Sequence, residues 1–242
     1  MSDREAILSR IRSALQVPAP RPHPPAPPRG SGVSVDRAFG SRPASTLPMA
    51  DTARRRAWLP LVGASWEERA DLFARHAETL KTEFLLCADR GELADHLRRL
   101  SGDAGWRRLA THRGDLTDFA AAALSLPTVV TDGGYDPLEL ERCDVGLTEC
   151  EALIAQTGSV LVTSRSTGGR ALSVLPPHHI VLARKDQIVA DLSDAYQLLH
   201  DRYGPDYPSL MSLITGPSRT GDIERILVLG AHGPKRLTIL CV

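Results

Sequence analysis

The chain has 242 residues, 29 Lys plus Arg against 29 Asp plus Glu, 42% hydrophobic and 24% charged residues. That length suits one sizeable core with a small accessory segment, and the balanced charge supplies no global basic field for a nucleic-acid partner. No apolar run approaches the roughly 20 residues needed to span a bilayer. The N-terminal Ser-Asp-Arg-Glu lacks the apolar stretch of a secretory signal, so the cytoplasm is the expected compartment.

Ser2 and Glu5 form a capping box, and Ile7, Leu8, Ile11 and Leu15 fall on one helical face. The spacing predicts an amphipathic helix over residues 3–16, which falls in a first segment, 1–16. Its apolar stripe needs a partner: its own domain, a second copy in a homo-oligomer, or another protein. Residues 17–50 are rich in proline and then in Gly and Ser, the composition of a semi-rigid linker. The globular part is expected over 51–242. Ser65 and Glu68 form a second capping box, opening a helix with Phe73, Ala77 and Leu80 on one face.

A strand at 84–88, helices near 92–100 and 116–124, and strands at 127–131 and 144–147 follow. Thr148 and Glu151 read as a third capping box, starting a helix that ends near Gln156. Residues 159–163 are a buried strand, 165–170 a Gly-rich turn, and 171–175 and 180–183 further strands. A helix is expected near 190–203, with strands at 210–215, 226–229 and 237–241. Strands alternating with helices predict an α/β fold: a three-layer α/β/α sandwich around a mixed, mostly parallel sheet. The mixed character is inferred from a local hairpin at the tight turn 166–169.

Ligands of open α/β sheets bind beyond the carboxyl ends of the strands, so the loops beside the strands are the candidates for chemistry. Thr157, Gly158 and Ser159 join an expected helix end to a strand; Gly158 suits a helix C-cap or a close backbone approach. The turn ending at Arg170 could cradle an anion with its backbone N–H groups, or be a plain exposed turn. Gly216 and Pro217 turn the chain after a strand, and Ser218 or Thr220 could cap a following helix whose N-terminus suits a carboxylate or phosphate. Arg219 could clamp the same anion, and Asp222 one turn on could orient it or act as a base. The alternative is a capped helix with an ordinary ion pair. His178 and His179, adjacent on a strand, must face opposite ways. His232, between Gly230 and Gly233, sits in a turn after a strand, where titratable groups collect. Neither a P-loop nor a dinucleotide fingerprint occurs. The four cysteines, Cys87, Cys143, Cys150 and Cys241, form no Cys-x-x-Cys pair, so no metal or cluster site is expected in this chain. Cys87 and Cys241 sit in apolar runs and read as small buried hydrophobes.

Two blocks carry a family resemblance. The segment TGPSRTGDIERILVLGAHGP (215–234), and the earlier AQTGSVLVTS (155–164) with Arg170 and SVLPPHHIVLA (173–183), resemble the lactate-utilisation protein C family of the LUD domain class. The resemblance runs from about Asp144 to the C-terminus. It implies the fold shared by glucosamine-6-phosphate isomerase, ribose-5-phosphate isomerase and CoA transferases. It also implies a part in oxidising L-lactate to pyruvate beside two partner proteins that carry the iron–sulfur clusters, this chain being the cluster-free member. Asp222 and His232 are then the candidate catalytic residues. A small carboxylate or other anion would be bound among Thr157, Gly158, Ser159, Arg170, His178, Gly216, Ser218, Arg219, Glu224 and Gly233. Two rivals remain: an autonomous enzyme on a sugar-phosphate or acyl-CoA-like substrate, and a non-catalytic scaffold or regulator.

Overall fold

The computed structural model describes residues 60–220, 228–229 and 233–242. The expected N-terminal helix and linker, and the candidates Asp222, Glu224 and His232, lie outside the described residues. The capping box is observed: Ser65 Oγ accepts from the Glu68 N–H, and Glu68 reaches back to the Ser65 N–H. It opens α1 (Trp66–Thr79), whose buried face is Ala70, Leu72, Phe73 and Ala77. In chain order follow β1 (Glu83–Leu86), α2 (Arg90–Ala104), β2 (Leu109–Thr111), α3 (Asp115–Leu124), β3 (Thr128–Val130), α4 (Pro137–Glu141) and β4 (Val145–Thr148). Then come β5 (Ala152–Ile154), β6 (Ser159–Thr163), β7 (His178–Ala183), a short 3-10 turn, β8 (Ile188–Val189) and α5 (Leu192–Tyr203). The described chain closes with β9 (Met211–Ile214), the two-residue strands β10 (Arg219–Thr220) and β11 (Val228–Leu229), and β12 (Arg236–Cys241). No described helix is long and apolar enough to cross a membrane.

The fold is α/β, with a six-stranded sheet in the order β1-β12-β7-β4-β2-β3. All of its pairings are parallel. Period-two alternation sorts its side chains. Leu147, Ile180, Leu182 and Leu240 face α2 and α3, packing on Leu93, Leu97, Leu116 and Ala120. Val181, Ala183, Leu237 and Ile239 face α1 and the inner side of a second sheet, meeting Phe73, Leu153, Val160 and Val162. In that second sheet, β8-β5-β6-β9, β6 pairs antiparallel with both β5 and β9. Its outer side, Ala152, Ile154 and Leu161, is covered by Ala195 and Leu199 of α5. The sandwich therefore contains a second small sheet between the main sheet and α5.

Three expectations fail locally. The Thr-x-x-Glu sequence at 148–151 starts no helix. Ala152, Leu153 and Ile154 are fully buried and pair with β6 and β8, so burial on both faces overrides the local cap signal. Residues 171–175 form turns rather than a strand: Leu172 packs on Ala110, Leu140 and Cys143, and its carbonyl closes over Gly146, where a Cβ would come within 2.7 Å. The hairpin lies at 155–158, joining β5 to β6, and not at 166–169. Gly158 is its left-handed residue (φ 63°), not a helix cap, and a Cβ there would stand 2.6 Å from the His76 Cβ of α1. Gly158→Ala should therefore cost about 2 kcal/mol, from the strained φ and the clash together. An unchanged urea midpoint would mean that the turn stands clear of α1.

Candidate functional site

The loop after β9 lines a cleft of about 370 Å³. Its walls are Leu213 and Ile214 at the end of β9, residues 215–219, Gly233 and Pro234, and Leu237 at the start of β12; His179 of β7 also lines it. The cleft lies at the amino ends of β7 and β12, between the two sheets. A loop following a strand was expected to sit at the carboxyl edge of the main sheet; it does not, because β9 belongs to the second sheet.

Gly216 (φ 88°) makes the turn. A Cβ there would meet the Arg219 guanidinium at 2.7 Å and the Leu80 carbonyl at 3.0 Å. Arg219 Nη2 donates to that carbonyl at 2.9 Å. Leu80 is the C-cap of α1, so the cation sits where the helix dipole is negative. That bond ties the guanidinium to the end of α1. The Ser218 N–H donates to the Pro234 carbonyl at 2.9 Å, tying the loop to the segment before β12. Beside the loop runs a hydroxyl chain: Thr157 Oγ1 donates to Ser159 Oγ at 2.8 Å, and Ser159 Oγ bonds Thr215 Oγ1 at 2.8 Å.

Residues 219–220 form β10, which pairs with β11, so no helix starts directly after Ser218; a helix capped by Thr220 would lie outside the described residues. Within residues 215–219, Arg219 is the one cationic side chain that could meet an anion. Of the anticipated residues, Gly216, Ser218, Arg219 and Gly233 come together in the cleft, with Ser159 and Thr157 one hydrogen bond and two behind Thr215. Arg170 stands apart, donating to the Ser209 carbonyl at 2.9 Å. His178 also points away. Its Nε2 donates to Thr238 Oγ1 at 2.9 Å, Thr238 donates on to Glu83, and the ring meets Trp106 edge-on. The cleft histidine is its neighbour His179, whose Nε2 bonds Thr148 Oγ1 at 2.8 Å. Burial holds both imidazoles neutral: it lowers the pKa of His178 to about 4, with Arg236 adding to the effect, and that of His179 to about 3, with His178 adding.

A second polar pocket, about 300 Å³, was not anticipated. It lies at the carboxyl ends of β2, β4 and β7, the edge where parallel sheets place ligands. His112, Glu149 and Arg184 each follow one of those strands. The Glu149 N–H donates to His112 Nε2 at 3.1 Å, so the ring proton is on Nδ1, which donates to the Arg113 carbonyl at 2.8 Å. Glu149 Oε1 accepts from the Leu116 N–H at 2.8 Å and so caps α3, whose N-cap Gly114 has no side chain to do so. Arg184 bonds Asp115 at 2.8 Å. Hydrogen bonds from Arg184 and Arg90 hold the Asp115 carboxyl below the usual carboxylate range. Glu151, 1% exposed, accepts from Thr163 Oγ1 at 2.6 Å, from Tyr203 OH at 2.7 Å, and from Arg202. The one sequence signal for this pocket was charge placed directly after apolar strands, at Glu149 and Arg184.

All four cysteines are buried and unpaired. Burial pushes the Cys87 thiol up to about 11 and the Cys241 thiol up to about 12, and raises Cys143 and Cys150 as well. Protonated thiols are poor metal ligands. Among the described residues, no group of three or more His, Cys, Asp or Glu is arranged to hold a metal ion.

A parallel sheet with a second sheet packed on one face, and a loop-lined cleft between the two, is the class of α/β protein to which this chain conforms. Residues 136–242 match the LUD domain model. It is similar to the lactate utilization protein C of Oceanobacillus iheyensis, at 28% identity over 75% of this chain and 83% of that protein. The lactate utilization protein C of an Exiguobacterium strain is also 28% identical, over 86% of this chain and 92% of that protein. The crystal structure of a DUF162 family protein from Deinococcus radiodurans shares the fold. It has a TM-score of 0.56 at 24% identity, covering 76% of this chain and 99% of that one.

Proposed function

We propose that this chain is a component of a lactate utilisation system that takes L-lactate to pyruvate, and that it binds a small carboxylate in the cleft beside β9. Iron–sulfur partner proteins would carry the electrons away. The observation that carries this reading is Arg219. Its guanidinium is anchored on the Leu80 carbonyl beside a cleft of about 370 Å³, large enough to admit a small carboxylate. Leu213, Ile214 and Leu237 supply an apolar wall beside the charge. The names of the relatives support lactate as the carboxylate.

Isothermal titration of L-lactate into the full chain tests the site. Arg219→Ala should weaken binding about 10- to 100-fold, the scale of one charge-assisted hydrogen-bonded pair. Equal affinity in the variant would remove Arg219 from the site. A second reading, an autonomous enzyme on a phosphorylated or acyl substrate, is favoured by one observation: the polar pocket at the carboxyl ends of β2, β4 and β7. Turnover of such a substrate by the isolated chain, lost in Glu149→Gln, would support that reading over the first.

A further inference from the structure

We propose that His179 reads the hydroxyl group of a 2-hydroxy acid in the cleft, making the site selective for lactate over a plain carboxylate of the same size. The inference rests on the carboxylate-binding reading of Arg219. His179 sits in β7, a central strand paired on both sides, by β4 and by β12. The side chain is 1% exposed, yet the residue lines the cleft. Thr148 Oγ1 holds Nε2 at 2.8 Å, and among the described residues Nδ1 has no hydrogen-bond partner, so Nδ1 is the ring atom that would meet a ligand. The ring is neutral, so one nitrogen donates and the other accepts. The Thr148 hydroxyl can serve either role, and the imidazole can therefore present Nδ1 as donor or as acceptor.

A ligand hydroxyl satisfies either form of the ring. A methylene in its place leaves a buried polar nitrogen without a partner, and that loss is the basis of discrimination. The adjacent His178 shows the contrast: its Nδ1 is buried with no hydrogen-bond partner, on the face away from the cleft. In the cleft, Arg219 would take the carboxylate, His179 the hydroxyl, and the Leu213, Ile214 and Leu237 wall the methyl group.

The test is titration of L-lactate and of propionate, which lacks only the hydroxyl, into the full chain. The wild type should prefer lactate about tenfold, the scale of one buried hydrogen bond. In His179→Gln the amide can still reach Thr148 but places no atom at Nδ1; propionate affinity should hold while the preference for lactate disappears. His179→Asn, whose amide lies near the Nδ1 position, should restore part of the preference. An unchanged lactate-to-propionate ratio in His179→Gln would overturn the assignment while leaving the Arg219 reading intact. If the wild type bound neither acid, the Arg219 reading would fail and this inference with it. Nitrogen NMR of the wild-type imidazole repeats the test without a substitution: Nδ1 should shift with lactate and not with propionate, and equal shifts would overturn the proposal.

Discussion

Arg202→Ala should lower stability by about 3 kcal/mol, the low end of the cost of leaving a buried carboxylate without its cation, because Arg202 is itself half exposed and water screens the pair. Glu151 is 1% exposed and holds three donors, Thr163, Tyr203 and Arg202, of which only Arg202 carries charge. Tyr203 cannot replace the cation, because a phenol is never positively charged; burial and the neighbouring Glu151 raise its pKa and keep it a neutral donor. For a domain of this size the loss corresponds to a fall in melting temperature of roughly 10 °C. Adding Glu151→Gln to Arg202→Ala should recover most of it, since the amide oxygen still accepts from Thr163 and Tyr203 and no charge stays buried. A single Arg202→Ala variant melting within a degree of the wild type would contradict the ion pair.

The second large effect is a loss of stability in mild acid. His178 and His179 have pKa values of about 4 and about 3 in the folded chain, against roughly 6.5 when unfolded. Between those values the unfolded state binds more protons, so stability rises with pH across the window. The contribution is complete above pH 6.5 and is lost as pH falls toward the folded values. From pH 7 to pH 5 each histidine should remove about 2 kcal/mol. Urea midpoints at the two pH values measure this, and His178→Asn should roughly halve the difference. Equal midpoints at pH 7 and pH 5 would mean that these rings are solvated.

The sequence was legible where local signals and packing agree. Ser65 and Glu68 open α1 as the capping box requires, and the apolar run at 159–163 is β6. Thr148 and Glu151 offered the same cap pattern, but Thr148 bonds His179, and Glu151 bonds Thr163, Tyr203 and Arg202. Those partners are distant in sequence, so nothing local reveals that the pattern is not a cap. β2 has three residues, all buried, and therefore no polar alternation to read. In the cleft, the turn residues Gly216, Ser218 and Gly233 were visible from composition. The Leu80 carbonyl that orients Arg219 was not, because it lies 139 positions away. Strand alternation placed one histidine on each face of β7, but which one meets the cleft depends on where the second sheet packs. The carboxyl-edge pocket went unseen because His112, Glu149, Arg184 and Arg202 come from four separate segments.

Growth on L-lactate as sole carbon source tests the central claim most directly, in a strain without other lactate-oxidising enzymes and with this gene deleted. Failure to grow, rescued by the wild-type gene but not by Arg219→Ala expressed at the same level, is the predicted result. Normal growth of the deletion strain, or full rescue by Arg219→Ala, would contradict the assignment of this chain and this cleft to lactate utilisation.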